Sequence, residues 1–184
     1  MNKKNNGIKQ IFNTALEYHQ KKDFINAEKL YKDVLKTNPN HFQTLFLLGS
    51  LSIQNNNIDL AINLLSKAIK IQPSFADAHN NLGAALKELN RSQDAVLCFE
   101  KALKINPNHI DANSNLAMIL GELNFIDKAK QYYQKALSLD PNKKKSCIGY
   151  GKILLKIGQH DKALSYIRKG SGLIRFTKNN YEII

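Results

Sequence analysis

Three lysines near the end of the chain, Lys145, Lys152 and Lys156, are spaced at seven and four residues. On an α-helix this spacing puts their ammonium groups on one face. Such a face attracts negative charge, either the acidic segment of a peptide or a phosphate backbone. Nucleic acid is the weaker candidate, because the cluster is short and no series of aromatic residues accompanies it on which unpaired bases could stack. A lysine face that contacts only solvent is the alternative without a function.

Asn13, Asn81 and Asn115 also recur at a regular spacing. The distance in sequence from Asn81 to Asn115 equals that from Pro39 to Pro73, and the distance from Asn13 to Asn81 is twice as long. A carboxamide both donates and accepts hydrogen bonds, so it can pair with the N–H and C=O groups of a peptide backbone together. A row of such groups would hold an extended chain with little regard to its sequence. Leu47 and Gly149 interrupt the series, and asparagine is common throughout (22 of 184 residues), so composition alone is the competing explanation.

Residues that usually carry catalysis or hold a metal are scattered. His41 and His109 follow prolines at the same offset, which predicts turn residues. The sequence contains no His-Glu-x-x-His motif, no glycine-rich phosphate loop and no Cys/His metal spacing. Cys98 and Cys147 stand alone, which is typical of buried thiols in a reducing compartment. The sequence therefore predicts no catalytic residue, no cofactor and no metal site, and a cytoplasmic location.

The elements that must position these residues repeat along the chain at a constant interval. This period is kept by all the prolines and by five alanines: Pro39, Pro73, Pro107 and Pro141, and Ala27, Ala61, Ala95, Ala129 and Ala163. A fixed period of this length is the signature of stacked repeats. Each repeat contains two amphipathic segments with helical spacing. A small residue in the first segment (Gly83 in the third repeat) faces a bulky one in the second (Phe99), which predicts antiparallel helices that cross closely.

Regular turns separate the two helices of each repeat. Asn56, Asn90, Asn124 and Gly158 fall where the first helix must stop, and Asn and Gly best tolerate the left-handed conformation that ends a helix. Lys22 occupies this place in the first repeat and predicts a less regular turn there. Each proline follows a second helix and cannot continue it.

This register resembles the tetratricopeptide repeat family, in which Leu-Gly, Ala, an aromatic residue, Ala and Pro recur in a 34-residue helix–turn–helix unit. The strings HNNLGAALKELNRSQDAVLCFEKALKINPNH and NSNLAMILGELNFIDKAKQYYQKALSLDPN match the pattern nearly throughout. The first repeat departs mildly, with Thr14-Ala15 in place of Leu-Gly, and the fifth departs more, with Gly170 and Arg175 in place of Ala and Pro. The resemblance implies an all-α, right-handed α-solenoid of five repeats with a short C-terminal cap.

In this family the first helices line the concave face of the superhelix. Carried over residue by residue, the resemblance implies a peptide-binding groove formed by Phe12, Asn13, Phe46, Ser50, Asn80, Asn81, Asn115, Met118, Lys145, Lys152 and Lys156. The asparagine series resembles the asparagine ladder in the repeats of O-linked N-acetylglucosamine transferases. The clamp of Lys, Asn and Arg with which some members bind the C-terminal carboxylate of chaperones is not matched, because Phe12 and Leu16, or Phe46 and Ser50, replace its first Lys-Asn pair.

The predicted organisation has a tail, an array and a second tail. Residues 1–7 form the first tail, and residues 8–169 form the array, with repeats at about 8–41, 42–75, 76–109, 110–143 and 144–169. Residues 170–184 form a capping or docking segment, in which Gly170 and Gly172 end the last helix. The runs Leu173–Phe176 and Tyr181–Ile184 predict a hairpin. It would either cap the last helix pair through Leu173, Phe176 and Ile183 or dock a partner, which includes a second copy of the chain.

The charge of the chain is unevenly placed. Of the net charge of +12, residues 143–184 supply ten Lys/Arg against two acids, whereas residues 37–142 carry nine of each. A compositional bias of the genome explains the basic ends as well as a function does. No apolar run reaches the roughly 18 residues of a membrane-spanning helix, so we expect no membrane partner.

These observations predict a non-enzymatic scaffold for protein–protein interaction, which binds an extended peptide or a partner helix in the groove. An acidic segment of that partner would pair with Lys145, Lys152 and Lys156. The alternative is a substrate-recruiting module of a glycosyltransferase-like or other protein-modifying system whose catalytic domain is absent from this chain. Fold alone does not decide between them.

Overall fold

The computed structural model describes residues 3–172, 174–177 and 180–183. Over these residues the chain forms ten helices and one hairpin. The helices are α1 (Lys3–Gln20), α2 (Phe24–Thr37), α3 (Phe42–Gln54), α4 (Ile58–Ile71), α5 (Ala76–Glu88), α6 (Ser92–Ile105), α7 (Ile110–Glu122), α8 (Ile126–Leu139), α9 (Lys144–Lys156) and α10 (His160–Ser171). The hairpin strands are β1 (Ile174–Thr177) and β2 (Asn180–Ile183). The predicted all-α array of helical repeats is confirmed, and the odd-numbered helices are the first helices of the repeats.

The helices belong to two compact halves, an N-terminal half (Met1–Ala95) and a C-terminal half (Val96–Ile184). In the N-terminal half, α1 packs on α2 and α3 packs on α4, while α2 and α4 each also pack on the first helix that follows them. The C-terminal half repeats this arrangement, with α7 on α8, α9 on α10, and α8 on α9. First helices of successive repeats also touch, α3 with α5 and α7 with α9. Side chains on adjacent first helices can therefore act together.

The predicted contact between a small residue of the first helix and a bulky residue of the second holds each helix pair together. A Cβ atom built on Gly49 would lie 2.9 Å from Leu65 Cγ, and one on Gly151 would lie 2.9 Å from the carbonyl oxygen of Ala163. Leu65 and the equivalent Ile167 are fully buried. The chain thus buries large apolar side chains against helix backbone, which is the main source of stability for a repeat that cannot form a core alone.

All five turns within the repeats have the same backbone. Lys22, Asn56, Asn90, Asn124 and Gly158 have positive φ angles between 57° and 77°. In each turn the next residue donates its N–H to the carbonyl five residues before it, at 2.8–3.0 Å, as in a Schellman cap. The expected irregular turn at Lys22 is therefore wrong, because closing this hydrogen bond requires the left-handed conformation whichever residue occupies the place.

Two histidines begin first helices. His41 and His109 are the N-cap residues of α3 and α7, and each Nδ1 atom accepts from the backbone N–H three residues later, Thr44 at 3.3 Å and Ala112 at 3.2 Å. Burial lowers the pKa of His41, which favours the neutral ring that can accept this bond. Their prediction as turn residues is confirmed, with helix capping as the physical reason.

Of the two glycines predicted to end the last helix, only one does so. Gly172 ends α10 with a φ of 82°, as predicted. Gly170 instead lies inside α10 and is buried, since a Cβ atom there would lie 2.7 Å from both the Lys144 carbonyl oxygen and Ile148 Cγ1. Gly170 therefore permits close packing on α9 rather than ending the helix.

The predicted hairpin is present, with β1 and β2 antiparallel and Ile174 opposite Ile183. The predicted packing of Leu173, Phe176 and Ile183 side chains on the last helix pair lies outside the described residues. At the other end, α1 begins at Lys3, inside the range 1–7 assigned to a tail. The repeat boundaries themselves stay predictions.

Candidate ligand-binding site

A cavity of about 390 Å³ opens between the first helices of the C-terminal half. We name it the α7–α9 pocket and define it by its lining residues, Met118, Gly121, Glu122, Tyr133, Lys145, Ile148, Gly149, Lys152, Ile153 and Lys156. Four of the residues that the sequence assigned to a groove meet here, namely Met118, Lys145, Lys152 and Lys156. Its volume falls within the range of about 300–1,000 Å³ that is common for ligand sites.

The interior of the pocket is apolar and its edge is charged. Tyr133 and Ile153 are buried, at 3% and 4% exposure, and Met118 and Ile148 are half-buried. All three lysines of the pocket and Glu122 are exposed. The charged lining groups are therefore three cations and one anion, an excess of two positive charges around an apolar space.

Two glycines shape the pocket. A Cβ atom on Gly149 would collide with the ring and hydroxyl of Tyr133, and one on Gly121 would lie 2.6 Å from Ile153 Cδ1. The missing side chains let Tyr133 of α8 and Ile153 of α9 lie directly against the neighbouring helix backbone. Gly149 also occupies the register of the asparagine series, so the series stops in the fifth repeat because no side chain fits there.

Two lysines tie α9 to α7. Lys145 Nζ donates to Asn115 Oδ1 at 2.8 Å, and Lys156 Nζ donates to the Gly121 carbonyl oxygen at 2.8 Å. The second bond satisfies one of the last carbonyls of α7 and places a cation at the negative end of that helix. Lys152 has no hydrogen-bond or ion-pair partner among the described residues, whereas the neighbouring Lys143 pairs with Asp111 at 2.8 Å. Lys152 is thus the cation of the pocket edge that is most available to a ligand.

Tyr133 brings a neutral hydroxyl to the pocket. Burial raises the pKa of its phenol, and the Glu122 carboxylate raises it further, so the group stays protonated. No described side-chain N or O atom is both fully buried and without a hydrogen-bond partner, and no described residue bonds to this hydroxyl. The hydroxyl therefore keeps access to the pocket space, where it can donate to an acceptor.

In the N-terminal half, four predicted groove residues form one hydrogen-bonded chain. Asn80 Nδ2 donates to Asn81 Oδ1 at 3.1 Å, and Asn81 Nδ2 donates to Ser50 Oγ at 2.8 Å. Ser50 Oγ in turn donates to the Phe46 carbonyl oxygen at 2.8 Å. The Asn81 carboxamide thus links α5 to α3. Asn81 Nδ2 donates one hydrogen bond and Oδ1 accepts one, which leaves one N–H group and one lone pair of this carboxamide for a ligand.

The remaining predicted residues of this half are aromatic or exposed. Phe12 is half-buried, with its ring centroid 4.8 Å from that of His41, and it lines a separate cavity of about 330 Å³. Phe46 packs edge-on against Phe75 at 4.9 Å. Asn13 is exposed on α1. These side chains do not converge on one space as those of the α7–α9 pocket do.

Of the apolar lining of the α7–α9 pocket, the sequence predicted Met118 but missed Tyr133 and Ile153, and it gave Gly121 no role. The signal that could have found the site is the glycine at 149, in a register filled elsewhere by Asn or Leu, next to a repeat whose bulky residue is tyrosine. Reading the two together requires knowing that α8 packs on α9.

Among the described residues, no group of three or more His, Cys, Asp or Glu side chains could hold a metal ion. No described helix is both long enough and apolar enough to cross a membrane.

Helix pairs that recur at a constant interval, with a ligand-sized pocket on the first helices, define a helical repeat protein. The chain belongs to the tetratricopeptide repeat family: models described as "Tetratricopeptide repeat" match residues 76–109 and residues 11–41, 110–143 and 145–181, and one described as "TPR repeat" matches 49–90. Among curated proteins, a UDP-N-acetylglucosamine–peptide N-acetylglucosaminyltransferase of Caenorhabditis elegans is 31% identical over 81 residues. That segment is 44% of this chain but 7% of the transferase.

Solved structures share the fold. A crystal structure of MamA is 27% identical and covers 90% of both chains with a TM-score of 0.74. Pseudomonas aeruginosa pilF is 20% identical, with 94% of this chain and 80% of that chain covered and a TM-score of 0.79. YrrB, described as a TPR protein with an unusual peptide-binding site, is 17% identical, with 93% and 92% covered and a TM-score of 0.69. At such identities the last two speak for the fold alone.

Proposed function

We propose that this protein is a non-enzymatic interaction scaffold, which binds an extended segment or a helix of a partner protein on its first helices. The observation that carries this proposal is the α7–α9 pocket, an open apolar space edged by cations. Interaction sites on proteins combine such apolar spaces with a few polar groups that fix orientation. Membership of a family whose repeats generally bind proteins or peptides supports the same conclusion.

The chemistry of the pocket favours binding over catalysis. A nucleophilic lysine is usually desolvated in an apolar pocket, but the three lysines are exposed. The Tyr133 phenol is held protonated, so it is a hydrogen-bond donor and not a nucleophile. The groups present offer charge, hydrogen bonds and apolar surface.

The alternative, a substrate-recruiting module of a modifying enzyme, has one observation behind it. The transferase similarity covers 81 residues of repeat sequence, and helical repeats of a plain scaffold would produce the same match. We therefore propose the scaffold and keep the recruiting role as an outcome that partner identification would reveal.

A selection from a library of random peptides displayed on phage tests the proposal. We expect enriched peptides whose binding weakens at least about tenfold, or about 1.4 kcal/mol, in a variant with Lys145, Lys152 and Lys156 all changed to Glu. The matched control changes three exposed lysines of the second helices α6 and α8 to Glu, namely Lys101, Lys104 and Lys135. Circular dichroism checks that each variant folds. A library that yields no peptide above background contradicts the scaffold, and full binding by the triple variant excludes the α7–α9 pocket as its site.

A further inference from the structure

We propose that the α7–α9 pocket selects one apolar side chain of a bound peptide together with acidic residues two or three positions to either side. This inference rests on the proposed scaffold function and names the chemistry of its ligand. It commits to an acidic peptide segment of a partner protein, in preference to a nucleic acid.

The apolar side chain follows from the interior of the pocket. Tyr133, Ile153, Met118 and Ile148 surround a space that no side chain of the chain's described residues fills. Removing such a surface from water is favourable, and an aliphatic or aromatic side chain is the occupant that does so without leaving a polar group unpaired. A nucleic acid backbone would bring no such side chain.

The acidic residues follow from the charge of the edge. Three exposed lysines face one carboxylate, Glu122, so the edge complements a ligand of negative charge. Along α9, Lys145 and Lys152 are about 10 Å apart in rise and Lys152 and Lys156 about 6 Å. An extended peptide covers those spans with about three and two residues. Acids flanking a central apolar residue by two or three positions thus reach the lysines.

Polar groups of the pocket are arranged before any ligand arrives. The bond of Lys156 Nζ to the Gly121 carbonyl oxygen holds that long side chain at the edge, which reduces the entropy lost on binding. An ammonium group has three donors, so Lys156 can still bond a carboxylate. The Tyr133 hydroxyl is available for a backbone carbonyl of the peptide. Together these groups would fix the position of the peptide backbone on either side of the apolar residue.

The test uses a fluorescein-labelled peptide, Gly-Asp-Glu-Ser-Leu-Ser-Asp-Glu-Gly, with fluorescence anisotropy on the full chain. Two matched peptides remove one feature each: Ser replaces Leu in one, and Asn and Gln replace Asp and Glu in the other. We expect each to bind at least about tenfold more weakly than the parent. Added salt should weaken the binding of the parent peptide, because its ion pairs with the lysines would be exposed to solvent.

Protein variants locate the site. Lys152→Glu should weaken binding of the parent peptide at least about tenfold, and Met118→Trp, which fills the pocket, should abolish the preference for Leu over Ser. Lys101→Glu is the matched control and should leave binding unchanged. Lys152 is exposed and has no partner among the described residues, so its variant should fold even if Met118→Trp does not.

Four outcomes overturn the inference. Equal binding of the Leu and Ser peptides removes the apolar selection, and tighter binding of single-stranded DNA of similar charge indicates a nucleic-acid surface. Failure of the labelled peptide while library peptides still bind refutes this ligand chemistry but leaves the scaffold standing. Failure of both the labelled peptide and the library contradicts the scaffold itself.

Discussion

Replacing Lys22 with glycine should stabilise the protein, although it deletes a side chain. Lys22 has a φ of 61°, and the left-handed region costs a residue with a Cβ atom about 1–2 kcal/mol. Glycine removes that cost but loses about 0.5–1 kcal/mol to its greater freedom in the unfolded chain. The difference between the middle values of these two ranges predicts a gain of about 0.75 kcal/mol in the free energy of unfolding. No side-chain contact offsets it, since Lys22 is exposed and its ammonium group has no partner among the described residues.

Lys21→Gly is the matched control, because it removes the same charge from the adjacent position. Lys21 is exposed, has no positive φ, and donates its N–H to the Glu17 carbonyl oxygen at 3.0 Å. Glycine there pays only the entropic cost, so stability should fall by about 0.5–1 kcal/mol. Urea unfolding followed by circular dichroism measures both changes. Hydrogen exchange at the Asp23 amide, which bonds to the Tyr18 carbonyl oxygen, shows whether the effect is local to the turn. If Lys22→Gly is no more stable than Lys21→Gly, the left-handed residue carries no strain and the reasoning fails.

Two further changes test features of the fold. Gly170→Asn should lower the free energy of unfolding by about 1–3 kcal/mol through overpacking against the Lys144 carbonyl oxygen, whereas Gly7→Asn in α1 should not lower it, because the space for its Cβ atom is open and Gly is the weaker helix former; equal losses in thermal melts would contradict the distinction. Because burial lowers the pKa of His41, the folded state binds fewer protons than the unfolded state, so stability should be full above about pH 6.5 and fall as the pH drops below it. His41→Asn keeps an N-cap acceptor without titrating, so the difference between urea midpoints at high and low pH should shrink in that variant, and an unchanged difference would assign it to other groups.

The sequence predicts the fold well because the residue preferences used for the prediction concern the backbone of a single repeat. The exchange of Gly49 against Leu65, the turn at Asn90 and the stop at Gly172 each follow from what a Cβ atom permits within one helix pair. Lys22 shows the limit of such rules: residue preference indicates where a left-handed turn is favourable, but the hydrogen bond that closes the turn imposes it even on a lysine.

The candidate site is predicted less well, because it forms between repeats. The spacing of Lys145, Lys152 and Lys156 identified the edge of the pocket, since one helix is enough to define a face. Its interior depends on Tyr133 of one repeat reaching Gly149 of the next, and no single repeat contains that information. The same holds for Asn115, whose partner Lys145 lies 30 positions later in the chain.

The identical turns have a consequence for how proteins of this kind change over evolutionary time. Each turn is closed by a hydrogen bond between two residues of its own repeat, so the duplication or loss of one whole repeat leaves every remaining turn intact. Length can therefore change in whole repeats at little cost to folding, while substitutions such as the glycine at 149 alter what a single junction recognises. New specificity can arise at one junction while the others keep theirs.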